Sequence, residues 1–422
     1  MMLKQKIRKS LSALFGALWL FSLPATALTE QAVSQWQSDI EHYRLNIVKR
    51  HINPFTQINE RQFNKQLEQL KTNLADKTRY QVIIELMKIH HKIGDGHTSI
   101  PLSQQGIEIF PIDLLFFDRS VRVVKTSKEH KALLGAELVK IGGHPVEEVR
   151  EKFRAIVPFV ENRSSQYERV STYMMMSALL KAFGIINDSE VAQFTFKANG
   201  KQFTLPLQPF SRSKRDKVMS ESVFPRDQYS ATQTGLFSNN SQYLWHQTLK
   251  NQTLYIRFER YPYMKTMNRF GEEALEVINK ERLRHIIIDL RDNYGGDLYV
   301  GVMLARWLNL ADSIDWQQGV YVLVGRKTYS AAMVNAINFR QLLNAKIVGE
   351  LPGAIPTGFQ DMDSFSLPHS NLQITYSKRR FNLAITEQNQ VPLDTKIELN
   401  WQSFQQGNDQ ELQWVLKDIA RR

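Results

Sequence analysis

His285-Ile-Ile-Ile-Asp-Leu-Arg-Asp-Asn-Tyr-Gly-Gly296, with Val320-Tyr-Val-Leu-Val-Gly325 and Lys327-Thr-Tyr-Ser-Ala-Ala332 behind it, decides how this chain is read. The first run opens as a short apolar stretch between polar residues, the pattern of a strand buried on both faces. Two adjacent glycines at its carboxyl end permit a tight turn and leave backbone amides uncovered by side chains, where an anion can be held. Leu298, Val302 and Ala305 recur at i, i+4 and i+7 and predict a helix lying on the sheet; Val320–Gly325 predicts a second buried strand. Ser330 then falls where a strand gives way to a helix, with Val334 and Ile337 on that helix's inner face. Its hydroxyl is expected near the positive end of the helix dipole, where a nucleophilic serine is useful.

Asp289-Leu290-Arg291, Asn293, Gly295-Gly296 and Ser330-Ala331 together resemble the serine peptidases of the C-terminal-processing (tail-specific) and tricorn type. In that family a strand ending Asp-Leu-Arg-x-Asn-x-Gly-Gly precedes a helix, a strand and the Ser-Ala pair that carries the nucleophile. The likeness continues at Ile347-Val-Gly-Glu350, Phe365-Ser-Leu-Pro368 and, more loosely, Val391-Pro-Leu-Asp394. It implies an α/β multidomain protein with a crotonase-like, ββα-superhelix catalytic core.

Composition narrows the setting. Lys4, Lys6, Arg8 and Lys9 precede an apolar run from Leu11 to Leu23, and Ala25-Thr26-Ala27 supplies the small residues of a signal-peptidase site. The run is short for a membrane span, so export to a periplasm or beyond is expected rather than anchoring. The absence of cysteine excludes disulfides, a thiol nucleophile and lipidation after the leader. The formal charge of +12 overstates the basicity of the rest, because the leader carries four of the 54 basic residues and none of the 42 acidic ones. The remaining basic residues are dispersed without an aromatic-interleaved run, which argues against nucleic acid as partner.

The expected organisation is a leader over 1–27, a helical module over 28–105, a β-rich region with helices over 106–210, a linker over 211–251 and a catalytic core over 252–422. In the helical module Ile40, Tyr43 and Ile47 share one face and Ile83, Leu86 and Ile89 another, with a break at His51-Ile-Asn-Pro-Phe55. The module ends in Lys92-Ile-Gly-Asp-Gly-His-Thr-Ser99, which resembles the Asp-Gly-His-Thr signature carrying the catalytic histidine of the tricorn-like branch. Leu134 to Val146 resembles the strand and Gly-Gly turn of a PDZ-like domain, a module that binds peptides by adding them to a sheet edge; a β-rich spacer without a groove fits the same residues. Helical patterning from Val146 to Leu180, including Met174-Met-Met176, suits packed helices. The polar and basic stretch from Pro209 to Asn251 reads as a linker. No metal-ligand spacing or phosphate-cradling loop is present, so no cofactor is expected.

A serine hydroxyl needs a base within hydrogen-bond reach, a group that orients the base, and donors for the developing oxyanion. The lysine that serves as base in the processing-protease branch is replaced here by Ile355, and Met333 replaces a glutamate that often follows the serine there. The resemblance to the tricorn-like branch instead implies Ser330 as nucleophile, His97 as general base and a later glutamate as orienter. Glu387, in Glu387-Gln-Asn-Gln-Val-Pro-Leu-Asp394, is the expected orienter, although the branch's proline and glycine positions are altered around it. Oxyanion donors are expected from the amides of Gly295 or Gly296 and of Ala331. Asp289 and Arg291 are expected to hold the strand end as a buried ion pair. The function so implied is hydrolysis of peptide bonds in peptide or protein substrates through an acyl-enzyme, with self-association left open. A non-catalytic binding module on the same fold, or an esterase of non-peptide substrates, are the rival readings.

Overall fold

Along His285–Asp289 the isoleucines divide between two cores: Ile286 and Ile288 pack into one apolar cluster and Ile287 into another. The period-2 alternation of a strand sends neighbours to opposite faces, so a strand apolar throughout needs cover on both. The computed structural model, which describes residues 27–118, 120–189, 191–222, 243–383 and 388–422, supplies that cover. One face of the sheet carries the helices Met264–Glu281, Leu298–Leu308 and Ala331–Leu343, and the other carries the C-terminal helix Gln410–Ala420 through Leu412, Val415 and Ile419.

Six strands form this sheet, in the order Thr395–Lys396, Lys346–Gly349, Val320–Val324, His285–Asp289, Thr253–Phe258, Leu244–Leu249. All neighbours are parallel except the last pair. The helix expected after the double glycine is present and buries Ala305 as expected, but the rest of its buried stripe is Val300, Gly301, Leu304 and Leu308 rather than Leu298 and Val302. Leu298 and Val302 are only half-buried, because the face turned to the sheet is rotated by part of a turn from the expected one.

A buried ion network closes the carboxyl end of His285–Asp289, as the sequence predicts for Asp289 and Arg291. Arg291 donates to Asp289 at 2.7 Å and to Asp409 at 2.6 and 2.8 Å, with Glu411 at 3.3 Å. Burial opposes charge on Asp289, yet the Arg291 and Arg257 guanidiniums outweigh it and hold the carboxyl well below its usual range. Asp409 also caps the C-terminal helix by accepting from the Leu412 amide at 3.1 Å, so one arginine ties the strand His285–Asp289 to the element covering its far face. Removing one partner of such a network leaves uncompensated buried charge. Arg291→Ala is therefore expected to lower unfolding free energy by about 3–5 kcal/mol, measured by chemical denaturation; a loss below about 1 kcal/mol would contradict this role.

Upstream, three helices, Glu30–Arg50, Glu60–Thr72 and Arg79–His91, bury the expected faces: Ile40, Tyr43 and Ile47, and Ile83, Leu86 and Ile89. Thr29 caps the first and Thr78 with Gln81 forms a capping box on the third. Tyr43 Oη and His90 Nδ1 share a hydrogen bond of 2.7 Å inside this core, and burial depresses the His90 pKa to about 3. The folded state therefore takes up a proton later than the unfolded chain does as the pH falls. Stability should decline between about pH 6.5 and pH 3, with this one histidine adding up to about 1.4 kcal/mol per pH unit. Denaturation of His90→Gln over that window should show a shallower pH slope than the unmodified protein; equal slopes would sink the assignment.

A seven-stranded antiparallel sheet follows, beginning with Ile112–Phe117 and Ser120–Thr126 where strands were expected, and including Glu137–Ile141 with its Gly142-Gly143 turn. Met174, Met175 and Met176 are buried between helices, as the pattern implied. The expected linker over 211–251 is corrected at both ends. Arg212–Val218 is a helix fixed by Arg215, which donates to the Phe110 and Ile112 carbonyls. Leu244–Leu249 is the antiparallel strand of the six-stranded sheet, its Leu244 and Trp245 buried despite the polar residues around them. Residues 223–242 of that stretch, and nearly all of the expected leader, lie outside the described residues. Among the described residues no helix is long and apolar enough to cross a membrane.

Candidate active site

The turn into the helix Ala331–Leu343 carries Ser330 in a conformation that an L-residue adopts at a cost, with φ 51° and ψ −127°. Its surroundings fix it there. Thr328 Oγ1 accepts from the Gly325 amide at 2.9 Å and donates to the Leu290 carbonyl at 2.8 Å, while the Tyr329 amide donates to the Asn293 carbonyl at 3.1 Å. The serine turn is thereby fastened to the end of the neighbouring strand. Gly295 passes so close that an added Cβ would lie 2.8 Å from Ser330 Cβ, and its φ of 98° also demands glycine.

His97 reaches this serine from 233 residues upstream: its Nε2 lies 2.9 Å from Ser330 Oγ. A long hairpin, Thr357–Ser366 with Gln373–Asn382, makes the connection. Thr375 bridges Ser99 through paired backbone hydrogen bonds, and its hydroxyl donates to the His97 carbonyl at 2.8 Å. Asp95 fixes the loop from inside. It accepts from the His97 amide at 2.9 Å, the Thr98 hydroxyl at 2.6 Å and His51 Nε2 at 2.9 Å. The Asn53 amide donates to His51 Nδ1 at 2.9 Å, which places the His51 proton on Nε2, facing Asp95. Burial raises the Asp95 pKa, but the hydrogen bonds from His51, Thr98 and the His97 amide prevail and leave it below its ordinary value.

Behind the imidazole stands a carboxylate that the sequence did not single out. Glu161 Oε1 lies 2.9 Å from His97 Nδ1, with both side chains almost fully buried. The contact is short but imperfectly aligned as a hydrogen bond. Three further features hold Glu161 in place. Tyr329 Oη donates to Oε1 at 2.8 Å, the Ile355 amide donates to Oε2 at 2.8 Å, and Gly96 lets the carboxylate approach, since a Cβ there would fall 2.2 Å from Glu161 Cγ. Burial and then the neighbouring carboxylate push the Tyr329 hydroxyl well above its usual pKa, so it remains a donor. The Tyr329 ring also stacks on His97, with centroids 5.2 Å apart.

The structure thus brings Ser330 and His97 together and places Glu161 beside His97 Nδ1. Glu387, expected there, lies outside the described residues. Of the expected oxyanion donors, the Gly295 amide is already committed to Asn293 Oδ1 at 2.9 Å, so the expectation narrows to Gly296 and Ala331. Neither of those amides meets an acceptor among the described residues, and the Ala331 amide belongs to the first turn of its helix, where no partner exists within the helix. Ile355, which the resemblance sets at the lysine position, contributes its amide to Glu161. A cavity of about 1080 Å³ opens beside Asp95, Gly96 and Glu161, and a second of about 630 Å³ opens beside Tyr294 and Lys327.

No protein-family profile matches the sequence, and no curated protein matches it either. The fold, however, has solved counterparts. Mature CPAF is similar over 92% of this chain and 96% of its own, at 10% identity and a TM-score of 0.63. A serine-to-alanine mutant of CPAF gives 0.62 over the same shares, and mature CPAF complexed with lactacystin gives 0.60 over 92% of this chain and 98% of its own, both at 10% identity. At that identity the likeness is one of fold.

Proposed function

We propose that this chain is a serine peptidase that hydrolyses peptide bonds through an acyl-enzyme on Ser330. One observation carries the reading: the line of contacts from Ser330 Oγ through His97 to Glu161, at 2.9 Å in each step. A serine attacks only if its proton leaves as the bond to the carbonyl carbon forms, and His97 Nε2 is within reach to take it. The carbonyl oxygen becomes an oxyanion, which the amides of Gly296 and Ala331 would receive. His97 then gives the proton to the departing amine, leaving the acyl group on Ser330. Water attacks that ester, His97 takes the water's proton, and the acid product leaves as Ser330 Oγ regains a proton from His97. Glu161 keeps the His97 proton on Nδ1 and steadies the imidazolium formed at each transfer.

In this reading the six-stranded sheet and its helices are the crotonase-like catalytic core, and Glu137–Ile141 with its glycine turn is the PDZ-like element. The leader would direct the enzyme to a periplasm or the exterior, where its partners are peptides or proteins. The fold shared with CPAF supports the reading, and lactacystin, with which CPAF was solved, is a reasonable inhibitor to try. The direct test is incubation of the purified protein with a fluorophosphonate probe and with casein. Covalent labelling with release of peptides supports a peptidase, labelling without peptide release favours an esterase, and the absence of both favours a binding module.

A further inference from the structure

Arg169, on the helix Arg163–Tyr173, packs its guanidinium among three aromatic rings that surround the candidate site. Its Cζ lies 4.6 Å from the Tyr294 ring centroid, 5.6 Å from that of Tyr329 and 5.8 Å from that of Phe159. Tyr294 directly precedes Gly295, and Tyr329 directly precedes Ser330. An arginine carries five N–H donors and no acceptor, and buried polar groups are normally paired. Here Nε is buried without a partner, and among the described residues no ion pair or hydrogen bond to this guanidinium occurs. The adjacent Glu168 does not serve it: that carboxylate accepts from Tyr294 Oη at 2.7 Å and faces Lys327 Nζ at 4.0 Å. The aromatic faces stabilise the cation without neutralising it, so part of its hydration is already given up before any anion arrives.

Its position says what kind of anion. Phe159 lines the larger cavity and Tyr294 the smaller, so two of the rings packed on Arg169 border spaces that could hold an extended chain. We infer that Arg169 is a substrate-recognition residue whose guanidinium, walled by Tyr294, Tyr329 and Phe159, binds a peptide carboxylate next to the scissile bond, giving the enzyme a preference for acidic sequences. Space beside both of these rings favours an acidic side chain within a chain that runs past; a chain terminus offers the same chemistry. A planar guanidinium takes a carboxylate through two parallel hydrogen bonds, which a lysine does not reproduce.

The inference rests on the peptidase reading for its biological sense, but its test does not need turnover. Binding of fluorescent peptides to Ser330→Ala is measured by anisotropy in three forms: central glutamate with both ends blocked, central glutamine with both ends blocked, and central glutamine with a free C-terminal carboxylate. The glutamate peptide is expected to bind at least about tenfold more tightly than the blocked glutamine peptide, an advantage that weakens with salt. It should vanish in Ser330→Ala/Arg169→Gln and shrink in Ser330→Ala/Arg169→Lys, which keeps the charge if the glutamine variant folds poorly. A tenfold advantage for the free terminus alone, lost with Arg169, would support carboxylate binding and assign its source to a chain end. Equal affinity of all three peptides, or an advantage that survives both Arg169 substitutions, overturns the inference. Failure of the peptidase reading would show separately, as absent fluorophosphonate labelling of the unmodified enzyme.

Discussion

Ser330→Ala is expected to abolish fluorophosphonate labelling and to cut peptide turnover by about six orders of magnitude, the scale on which a catalytic serine is lost from a triad that works as a unit. The size of the effect follows from the geometry. The hydroxyl is the only group removed, its Oγ is the atom in contact with His97 Nε2 at 2.9 Å, and the surrounding hydrogen bonds run through Thr328 and Tyr329 rather than through Ser330 Oγ. Thermal stability should therefore change little, by less than about 1 kcal/mol, as for other substitutions that break no buried network. The strained φ of 51° remains for alanine as for serine, so no relief or new cost comes from the backbone. Labelling of the variant at the unmodified rate, read by mass spectrometry of the labelled peptide, would remove Ser330 from the mechanism.

How much of this was legible beforehand depends on the distance over which each feature is determined. The strands His285–Asp289 and Val320–Val324, and the serine at the start of a helix, are encoded within a few neighbouring residues by apolar runs, paired glycines and helical spacing. Arg291 could be recognised as a buried charge because it follows a strand too apolar to be exposed. Its partners Asp409 and Glu411 could not, since they stand 118 and 120 residues away on a helix whose position is set by packing. The stripe of Leu298–Leu308 was misplaced because that helix is apolar on more than one face, and periodicity alone does not choose between them. Leu244–Leu249 was hidden for the opposite reason. Its Trp245 and His246 are buried by pairing with Thr253–Phe258, not by any alternation in its own sequence.

Glu161 is the instructive omission. It precedes Asn162, the N-cap of the helix Arg163–Tyr173, and looks like any acidic residue near a helix start. What makes it special is the convergence of Gly96, Tyr329 and Ile355, which come from three separate segments. The only local hint was Gly96: a loop that must admit a carboxylate between its histidine and its aspartate needs a residue without a Cβ. His51 was noted as a helix break, whereas its work is to donate to Asp95 and so hold the histidine loop.

Glu161→Gln should lose about four orders of magnitude in turnover, because the substitution changes which nitrogen of His97 carries the proton. Three donors converge on the carboxylate: Tyr329 Oη, the Ile355 amide and, in the reactive tautomer, His97 Nδ1. A carboxylate accepts them all. Glutamine has one oxygen, and if that oxygen keeps the Ile355 amide, its NH₂ group must face the side shared by Tyr329 and His97. Tyr329 can rotate its hydroxyl and accept, but His97 can accept at Nδ1 only by moving its proton to Nε2. Nε2–H then donates to Ser330 instead of taking its proton, and the base is lost while the shape of the site survives. Phosphonate labelling should slow in parallel, and unfolding free energy should fall by no more than about 1–3 kcal/mol, the cost of one imperfectly satisfied buried group. Glu387→Gln is the matched control, expected within about twofold of the unmodified rate because Glu161 already occupies the space behind the imidazole. If the losses exchange places, with Glu387→Gln crippled and Glu161→Gln active, the orienting role belongs to Glu387 and the short contact at His97 Nδ1 is structural.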